Sequence, residues 1–182
     1  YMVAWMQMWH RSIPSHDLGH GWAGSMTVPR KLGLRDGRLV QELPESVNDH
    51  FLVENAPETI VKGNQTTIPD RGKQTLFEIG AKSGRSFILS YGNESDADSA
   101  LQLIYDASNK RFSLSRDQFG HFISGKESPE IQSRWIQLDG EKDHHFSILR
   151  DTNSIEVFVD GKTLSMTFYE TTENPVYTIT AD

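Results

Sequence analysis

Residues 154–168 read SIEVFVDGKTLSMTF and carry the clearest structural signal in the chain. Apolar residues occupy every second position of the first half, at Ile155, Val157 and Val159. A period of two places alternate side chains on opposite faces of a strand, so Glu156 takes the other face. Asp160-Gly161 then separates two apolar runs, which is a strong signal for a tight turn. The stretch therefore predicts an antiparallel β-hairpin.

The same alternation extends over most of the chain beyond residue 50. Short apolar and polar alternations are separated by turn-forming pairs such as Gly92-Asn93, Ser108-Asn109 and Asp139-Gly140. No segment sustains the roughly 3.6-residue period of an amphipathic helix. Short strands spaced by about 8–12 residues predict an antiparallel β-sandwich. The positions that share a face within each run are Phe87, Leu89 and Tyr91; Leu101, Leu103 and Tyr105; Phe112 and Leu114; and Phe146 and Ile148.

The first part of the chain has a different organisation. Residues 1–9 are rich in β-favouring aromatic side chains and predict a strand. Residues 10–21 are polar and contain proline and glycine, which predicts a loop. Asp36-Gly37 lies between Leu34 and the apolar residues 39–40, and it predicts a second hairpin.

A domain boundary is expected near residues 45–50. Pro44 and the polar run after it end the first segment, and the alternating runs begin beyond them. We therefore predict a first unit of residues 1–47 and a second unit of residues 48–182. At about 100–200 residues per domain, the chain holds one domain and a fraction of another.

Composition excludes several classes of function. The formal net charge of −7 argues against nucleic acid or an anionic membrane as the main partner. The absence of cysteine rules out disulfides, cysteine-ligated zinc and thiol nucleophiles. No apolar run reaches the ~18–20 residues that a membrane span needs. The chain opens on Tyr1 within an apolar stretch, from which we expect it to be the C-terminal piece of a longer protein.

The histidines and hydroxyl side chains predict no catalytic or metal site. His16, Asp17 and His20 form the densest cluster of possible ligands, but they fall in the predicted loop, where a solvated or hydrogen-bonded role is favoured. His144 and His145 would point to opposite faces of a strand and cannot share one ion. The sequence has neither a Gly-x-Ser-x-Gly elbow nor a phosphate-binding Gly-rich loop. We expect no metal and no cofactor.

The tryptophans are the remaining candidates for a binding role. Trp5, Trp9 and Trp22 lie within the first 22 residues, and Trp135 comes much later. Packing in a core is the ordinary role of each ring. Trp22 follows a polar, Gly-rich loop, where an indole can also form the wall of a sugar site. These observations alone favour packing for Trp22 and keep the sugar-binding role as the alternative.

Three stretches carry a family resemblance. Residues 4–9 read AWMQMW, residues 21–32 read GWAGSMTVPRKL and residues 150–161 read RDTNSIEVFVDG. They resemble glycoside hydrolase family 32, whose pattern is a Gly-Trp-Met strand, then Trp-x-Gly-x-Met-[Thr/Ser]-x-Pro-Arg-x-Leu, and a late sandwich hairpin; Ala4 replaces the usual glycine. The resemblance implies a five-bladed β-propeller followed by a β-sandwich. The expected fold is therefore all-β, an antiparallel β-sandwich preceded by strands of the last blade of a truncated five-bladed β-propeller.

The resemblance also implies where catalysis takes place. Family 32 enzymes are retaining glycosidases, and their catalytic carboxylates lie in Trp-x-Asn-Asp-Pro, Arg-Asp-Pro and Glu-Cys motifs. None of these occurs here, since Gln118 follows Arg116-Asp117 and cysteine is absent. We expect the parent protein to hydrolyse β-fructosyl bonds in sucrose, sucrose 6-phosphate or fructans, and this fragment to be structural and inactive.

Two residues take expected roles from the resemblance, and Glu156 takes its role from its alternation with Ile155 and Val157. Trp22 stands where the family has a pocket tryptophan, so it is expected to line the fructosyl site. Arg30 is expected to anchor the blade through hydrogen bonds. Glu156 is expected on a solvated or interdomain face and is assigned no catalytic role.

Other functions stay open. The sandwich could be a carbohydrate-binding module that exposes Trp135 beside a groove, whereas a buried Trp135 would favour a structural role. It could also be an interaction or dimerisation domain. Residues 1–9 are expected to expose Trp5, Met8 and Trp9 and to mediate self-association. The expected partner of the parent is a fructose-containing saccharide, and the expected location is the bacterial cytoplasm, with secretion as the alternative.

Overall fold

The chain is described from a computed structural model. Met8 and Trp9, two of the side chains expected to mediate self-association, lie outside the described residues. Those residues are 1–7, 12–51, 59–60, 65–69, 72, 74–93, 96, 99–121, 123, 132–170 and 172–182.

Strands dominate this part of the chain. Within the ranges given above, neither of the two short helices has the length and apolar character to cross a membrane. The elements are α1 (Pro14–Asp17), β1 (Lys31–Arg35), β2 (Arg38–Glu42), α2 (Glu45–Phe51), β3 (Thr59–Ile60), β4 (Thr66–Pro69), β5 (Thr75–Ala81), β6 (Phe87–Gly92), β7 (Ala100–Asp106), β8 (Arg111–Ser115), β9 (Ser133–Gln137), β10 (His144–Asp151), β11 (Ser154–Val159), β12 (Lys162–Thr167) and β13 (Val176–Ala181).

The strands form a β-sandwich and a separate hairpin. One sheet has the order β12-β11-β10-β5-β3 and the other has the order β4-β13-β6-β7-β8-β9. Every pairing is antiparallel except the short parallel contact of β3 with β5. The strands β1 and β2 pair only with each other among the described residues. The predicted all-β, antiparallel sandwich is confirmed.

The period-two alternation identifies the core correctly. The inner faces of the two sheets meet in one cluster of buried apolar side chains, and all ten positions listed from the sequence of β6, β7, β8 and β10 belong to it. An aromatic group lies at its centre, where Phe146 packs edge-on against Phe87 with ring centroids 5.1 Å apart. Burying each such ring contributes about 2–3 kcal/mol through removal of apolar surface from water.

Both predicted Asp-Gly hairpins are confirmed. Asp36 and Gly37 have φ values of 52° and 73°, and they connect β1 to β2. Asp160 and Gly161 have φ values of 52° and 76°, and they connect β11 to β12. Two successive positive φ angles define the turn whose twist matches that of antiparallel strands. Aspartate and glycine tolerate this left-handed backbone better than other residues.

Three local predictions differ from the structure. The predicted loop of residues 10–21 contains the single helical turn α1, which begins at Pro14, a residue suited to the start of a helix. The polar run after Pro44 forms α2. In the predicted strand of residues 1–9, the described part makes two isolated bridges, Met2 with Arg30 and Trp5 with Met26, and no continuous ladder.

Arg150 is a charged residue in the interior of the sandwich. It is 1% exposed and is the largest of the fully buried side chains in the described structure. Its guanidinium donates to the carbonyl of Gly72 at 2.6 Å, to the hydroxyl of Tyr91 and to Glu170 Oε2 at 3.1 Å. The same guanidinium lies 4.6 Å from the centre of the Tyr91 ring. The network satisfies a buried charge and ties β10 to β6 and to the residues after β12.

Candidate functional site

Trp22 lies on an exposed loop between α1 and the bridge at Met26. It is 46% exposed, and its ring packs at a tilt against His20, with centroids 5.1 Å apart. The loop turns through left-handed glycines, among them Gly21 with a φ of 84°. Trp22 therefore presents much of its indole to solvent and is not part of the sandwich core.

Polar contacts hold the same loop to the sandwich and to α1. The hydroxyl of Ser25 donates to Asn153 Oδ1 at 2.9 Å, and the amide of Gly24 donates to Ser15 Oγ at 3.3 Å. Gly24 has a φ of 85°, and a Cβ at this position would lie 2.7 Å from Trp5 Nε1. Glycine is therefore required here both for backbone conformation and for space.

Glu156 is the centre of the contact between residues 28–30 and the sandwich. It is 2% exposed and accepts hydrogen bonds at 2.6 Å from the Val28 amide, at 2.6 Å from Arg30 Nη2 and at 3.0 Å from the Ser165 hydroxyl. Arg30 also donates to Gln41 Oε1 at 2.8 Å. Arg30 thus acts as the expected anchor, and Glu156 lies on the covered face, not on a solvated one.

The β1–β2 hairpin continues this contact. The amide of Gln41 donates to the carbonyl of Gly161 at 2.8 Å. A Cβ at Gly161 would lie 2.8 Å from Val40 Cγ1, so the hairpin backbone approaches the β11–β12 turn closely. At the other end, Gln7 Nε2 donates to the buried hydroxyl of Tyr169 at 2.8 Å. The sequence analysis did not identify the Gln7–Tyr169 contact, because it joins positions far apart in the chain.

A cavity of about 250 Å³ lies where the first residues of the chain meet the sandwich. Its lining includes Trp5, Gln7 and the three arginines Arg30, Arg116 and Arg134, and it includes no carboxylate among the described residues. Arg116 donates to Gln132 Oε1 at 3.0 Å and to the carbonyl of Thr167. A retaining glycosidase needs two carboxyl groups about 5–5.5 Å apart. The described lining does not provide them.

The histidine pair occupies the two faces of β10, as the strand period predicted. His144 is buried, and its Nδ1 lies 2.8 Å from Asp160 Oδ2. His145 lies on the opposite face, with Nε2 2.6 Å from Glu78 Oε2. Within the described residues, no group of three or more histidine, aspartate or glutamate side chains could hold a metal ion.

Trp135 is exposed on the outer face of the six-stranded sheet. It is 54% exposed and lies in β9, with the Arg111 guanidinium 4.6 Å from the centre of its ring. A groove runs beside it. The sequence analysis named Trp135 as a possible sugar platform but did not identify Arg111, which the strand register brings next to it.

Comparison with protein families matches residues 1–179 in two parts. The description "Glycosyl hydrolases family 32 N-terminal domain" matches residues 1–43. The description "Glycosyl hydrolases family 32 C terminal" matches residues 43–179, which is most of the chain.

Individual relatives agree with this match. A sucrose-6-phosphate hydrolase of Zymomonas mobilis is 30% identical over 167 residues, which cover 87% of this chain and 30% of that protein. A raffinose invertase of Escherichia coli is 30% identical over 176 residues, which cover 92% of this chain and 33% of that protein. The chain therefore spans about a third of the length of these relatives.

Solved structures share the fold. An exo-inulinase from Aspergillus awamori superposes with a TM-score of 0.70 at 20% identity, over 98% of this chain and 36% of that one. A sucrose-6-phosphate hydrolase from Lactobacillus gasseri superposes with a TM-score of 0.68 at 16% identity, over 97% of this chain and 37% of that one.

Proposed function

The chain belongs to glycosyl hydrolase family 32, and from this we propose that its residues form the non-catalytic C-terminal part of a β-fructosidase. The parent protein would be a retaining glycosidase that cleaves β-fructosyl bonds in sucrose, sucrose 6-phosphate or fructans. The names of the relatives support this substrate class, since they include sucrose-6-phosphate hydrolases and an invertase. The occurrence of these relatives in bacteria supports a bacterial source, and a cytoplasmic location of the parent is part of the proposal.

The burial and hydrogen bonding of Glu156 are the main support for the non-catalytic role. Its carboxylate is the most enclosed one in the contact between the two parts of the chain, and three donors already occupy its oxygens. A general acid or nucleophile must reach the reacting atoms of a substrate. Glu156 is therefore suited to joining the two parts of the chain and not to chemistry.

The same contacts support a structural role for the sandwich. Arg30, Gln41 and Gln7 each bind it from a different part of the first 43 residues. In the parent protein, such contacts would hold the last blade of the propeller in a fixed position against the sandwich. The domain division at residue 47 is part of this proposal.

The activity of the purified chain tests the proposal. We expect the 182-residue chain to release no fructose from sucrose, sucrose 6-phosphate or inulin, because the carboxylate pair of a retaining mechanism is absent from its described cavity. Thermal unfolding establishes that the assayed chain is folded, and a sucrose-6-phosphate hydrolase serves as the positive control. Fructose release by the folded chain would contradict the proposal.

Trp22 is the proposed sugar-contacting residue. Its exposed indole, held on a glycine loop beside His20, supports a role as one wall of the fructosyl site in the parent. Stacking of an apolar sugar face on the ring would be its contribution.

Replacing Trp22 by alanine is expected to lower kcat/KM for sucrose about tenfold or more in a protein that joins this chain to the catalytic residues. A loss of about 1.4 kcal/mol in binding corresponds to that factor. Trp22→Phe is expected to retain part of the activity, and Ile88→Ala, an exposed apolar residue of the sandwich, serves as the control. Unchanged steady-state kinetics in Trp22→Ala would contradict this role.

Exposed apolar side chains support a further part of the proposal. Leu34 is 80% exposed, Leu39 60% and Trp5 43%, all within the first 43 residues. We infer that the rest of a propeller covers these side chains in the parent. The exposure of Trp5 also supports self-association of the isolated chain through residues 1–9.

A further inference from the structure

The outer face of the six-stranded sheet carries a groove beside Trp135. The register places Trp135 opposite Ser113, and Gln137 opposite Arg111, so all four side chains share the face that points away from the core. The groove has a volume of about 520 Å³. Ligand sites of small molecules fall at about 300–1,000 Å³.

The indole of Trp135 is available although one neighbour packs on it. The Arg111 guanidinium lies 4.6 Å from the ring centre, yet Trp135 is still 54% exposed. Trp135 and Arg111 therefore form a continuous surface, in which the indole ring is apolar and the guanidinium offers hydrogen-bond donors. The Arg111 residue is exposed, and its side chain donates no hydrogen bond to a residue that the structure describes.

Gln137 completes the groove with an acceptor. Its Nε2 donates to the carbonyls of Asn109 at 2.7 Å and of Lys110 at 3.0 Å, which uses both amide hydrogens and fixes the side chain. The Oε1 accepts nothing from the described residues and is left for a ligand. A donor on Arg111 and an acceptor on Gln137, in opposite positions of paired strands, match the dual character of a hydroxyl group.

The charges of the groove favour a neutral ligand. Asp106 pairs in register with Arg111 and lines the same groove. The side-chain hydrogen bond from Asn109 is the main cause that holds the pKa of Asp106 below its ordinary value, and the charge of Arg111 adds to it. Asp106 is therefore ionised at neutral pH, and it balances Arg111.

The groove is separate from the contact that joins the two parts of the chain. That contact uses Asn153, Glu156 and Ser165, which belong to the five-stranded sheet and its turn. Trp135 lies on the outer face of the other sheet. A ligand at Trp135 would leave the Arg30–Glu156 contact in place.

We propose that this groove binds a neutral oligosaccharide, with one pyranose ring stacked on Trp135 and its hydroxyl groups paired with Arg111 and Gln137. A pyranose chair presents a larger and flatter patch of C–H groups to an indole than a puckered furanose ring does. The inference goes beyond the proposed hydrolase, because it assigns the sandwich a binding site of its own that needs no catalytic residue.

Titration of the complete chain with maltotriose, which contains only pyranose rings, tests the site. The indole N–H signals of the four tryptophans are followed by NMR, and the signal that Trp135→Phe removes is expected to shift on titration. We expect a dissociation constant in the millimolar range, about −4 kcal/mol. Trp135→Ala is expected to weaken binding at least tenfold, and Arg111→Ala severalfold, whereas Ile88→Ala on the same sheet face is expected to bind normally. Inulin oligomers, built almost wholly of furanose rings, are expected to bind at least tenfold more weakly than maltotriose.

Several results would overturn the inference. One is the absence of a shift at high millimolar maltotriose in a chain whose thermal unfolding shows that it is folded. Another is binding that Trp22→Ala abolishes and Trp135→Ala does not. A third is a Trp135→Ala variant that changes only the sedimentation of the chain, since the face would then contact a second copy. None of these results bears on whether the chain hydrolyses fructosides, so the two proposals fail independently.

Discussion

Replacing Glu156 by alanine is expected to detach the first 43 residues from the sandwich while leaving the sandwich folded. Arg30 and Glu156 are 10% and 2% exposed at their side chains, and Nη2 of Arg30 lies 2.6 Å from Oε2 of Glu156. Removing one partner of a buried ion pair costs about 3–5 kcal/mol, because the other charge stays buried without compensation. The Val28 amide and the Ser165 hydroxyl lose the same acceptor.

Hydrogen exchange followed by mass spectrometry measures this detachment. Amides of the β1–β2 hairpin and of residues 26–30 are expected to exchange faster in Glu156→Ala, whereas amides of β6 and β7 serve as the internal reference within the sandwich core. Limited proteolysis is expected to cut the variant near the hairpin first. Equal exchange of the hairpin in the variant and the parent chain would contradict the prediction.

The double variant Arg30→Met/Glu156→Leu distinguishes the effect of an unpaired buried charge from the effect of lost packing. Apolar side chains of similar volume often replace a buried ion pair at little cost. We expect this variant to restore most of the protection of the hairpin that Glu156→Ala loses. If the hairpin amides exchanged as fast in the double variant as in Glu156→Ala, the hydrogen bonds to Val28 and Ser165 would matter more than the burial of the charge.

Replacing Arg150 by alanine is expected to destabilise the sandwich itself. The substitution leaves Glu170, the carbonyl of Gly72 and the hydroxyl of Tyr91 without their shared donor, and it empties a volume in the core. Loss of a buried charge partner costs about 3–5 kcal/mol. At about 2–4 °C of melting temperature per kcal/mol for a chain of this size, the midpoint is expected to fall by roughly 6–20 °C.

Thermal and urea unfolding of three variants checks this prediction. Arg150→Lys retains the charge but lacks the planar fork that reaches several acceptors, so an intermediate loss is expected. It also provides a measurable case if Arg150→Ala does not fold. Arg134→Ala changes an exposed arginine of β9 and serves as the control, with a midpoint close to that of the parent chain. A midpoint for Arg150→Ala within a degree of the control would contradict the role of the network.

Part of the candidate site could be predicted from the sequence. The anchoring position of Arg30 came from motif resemblance, and the burial and contacts of Arg30 agree with it. The pocket position of Trp22 came from the same resemblance and stays a prediction. The sequence analysis left Glu156 between a solvated and an interdomain face. In the structure, Glu156 lies on a covered face, because residues 28–30 contact it directly.

The groove at Trp135 could not be predicted from the sequence. Alternation places Trp135 on one face of β9, but it does not indicate whether a neighbouring layer covers that face. Arg111 and Gln137 reach the same groove only through the pairing of β8 with β9, two strands that are not consecutive in residue number. Pairing registers of this kind depend on the complete sheet.

By itself, the sequence of this protein determines the all-β class, the two Asp-Gly hairpins and the membership of the core. These follow from the two-residue period and from the left-handed backbone of the turns, both of which are local properties. Only the tertiary structure decides that Arg150 lies in the core, that Glu156 joins the hairpin to the sandwich and that Trp135 faces solvent. Each of these depends on which residues, up to 128 positions apart, come together when the whole chain folds, and local patterns carry no information about such partners.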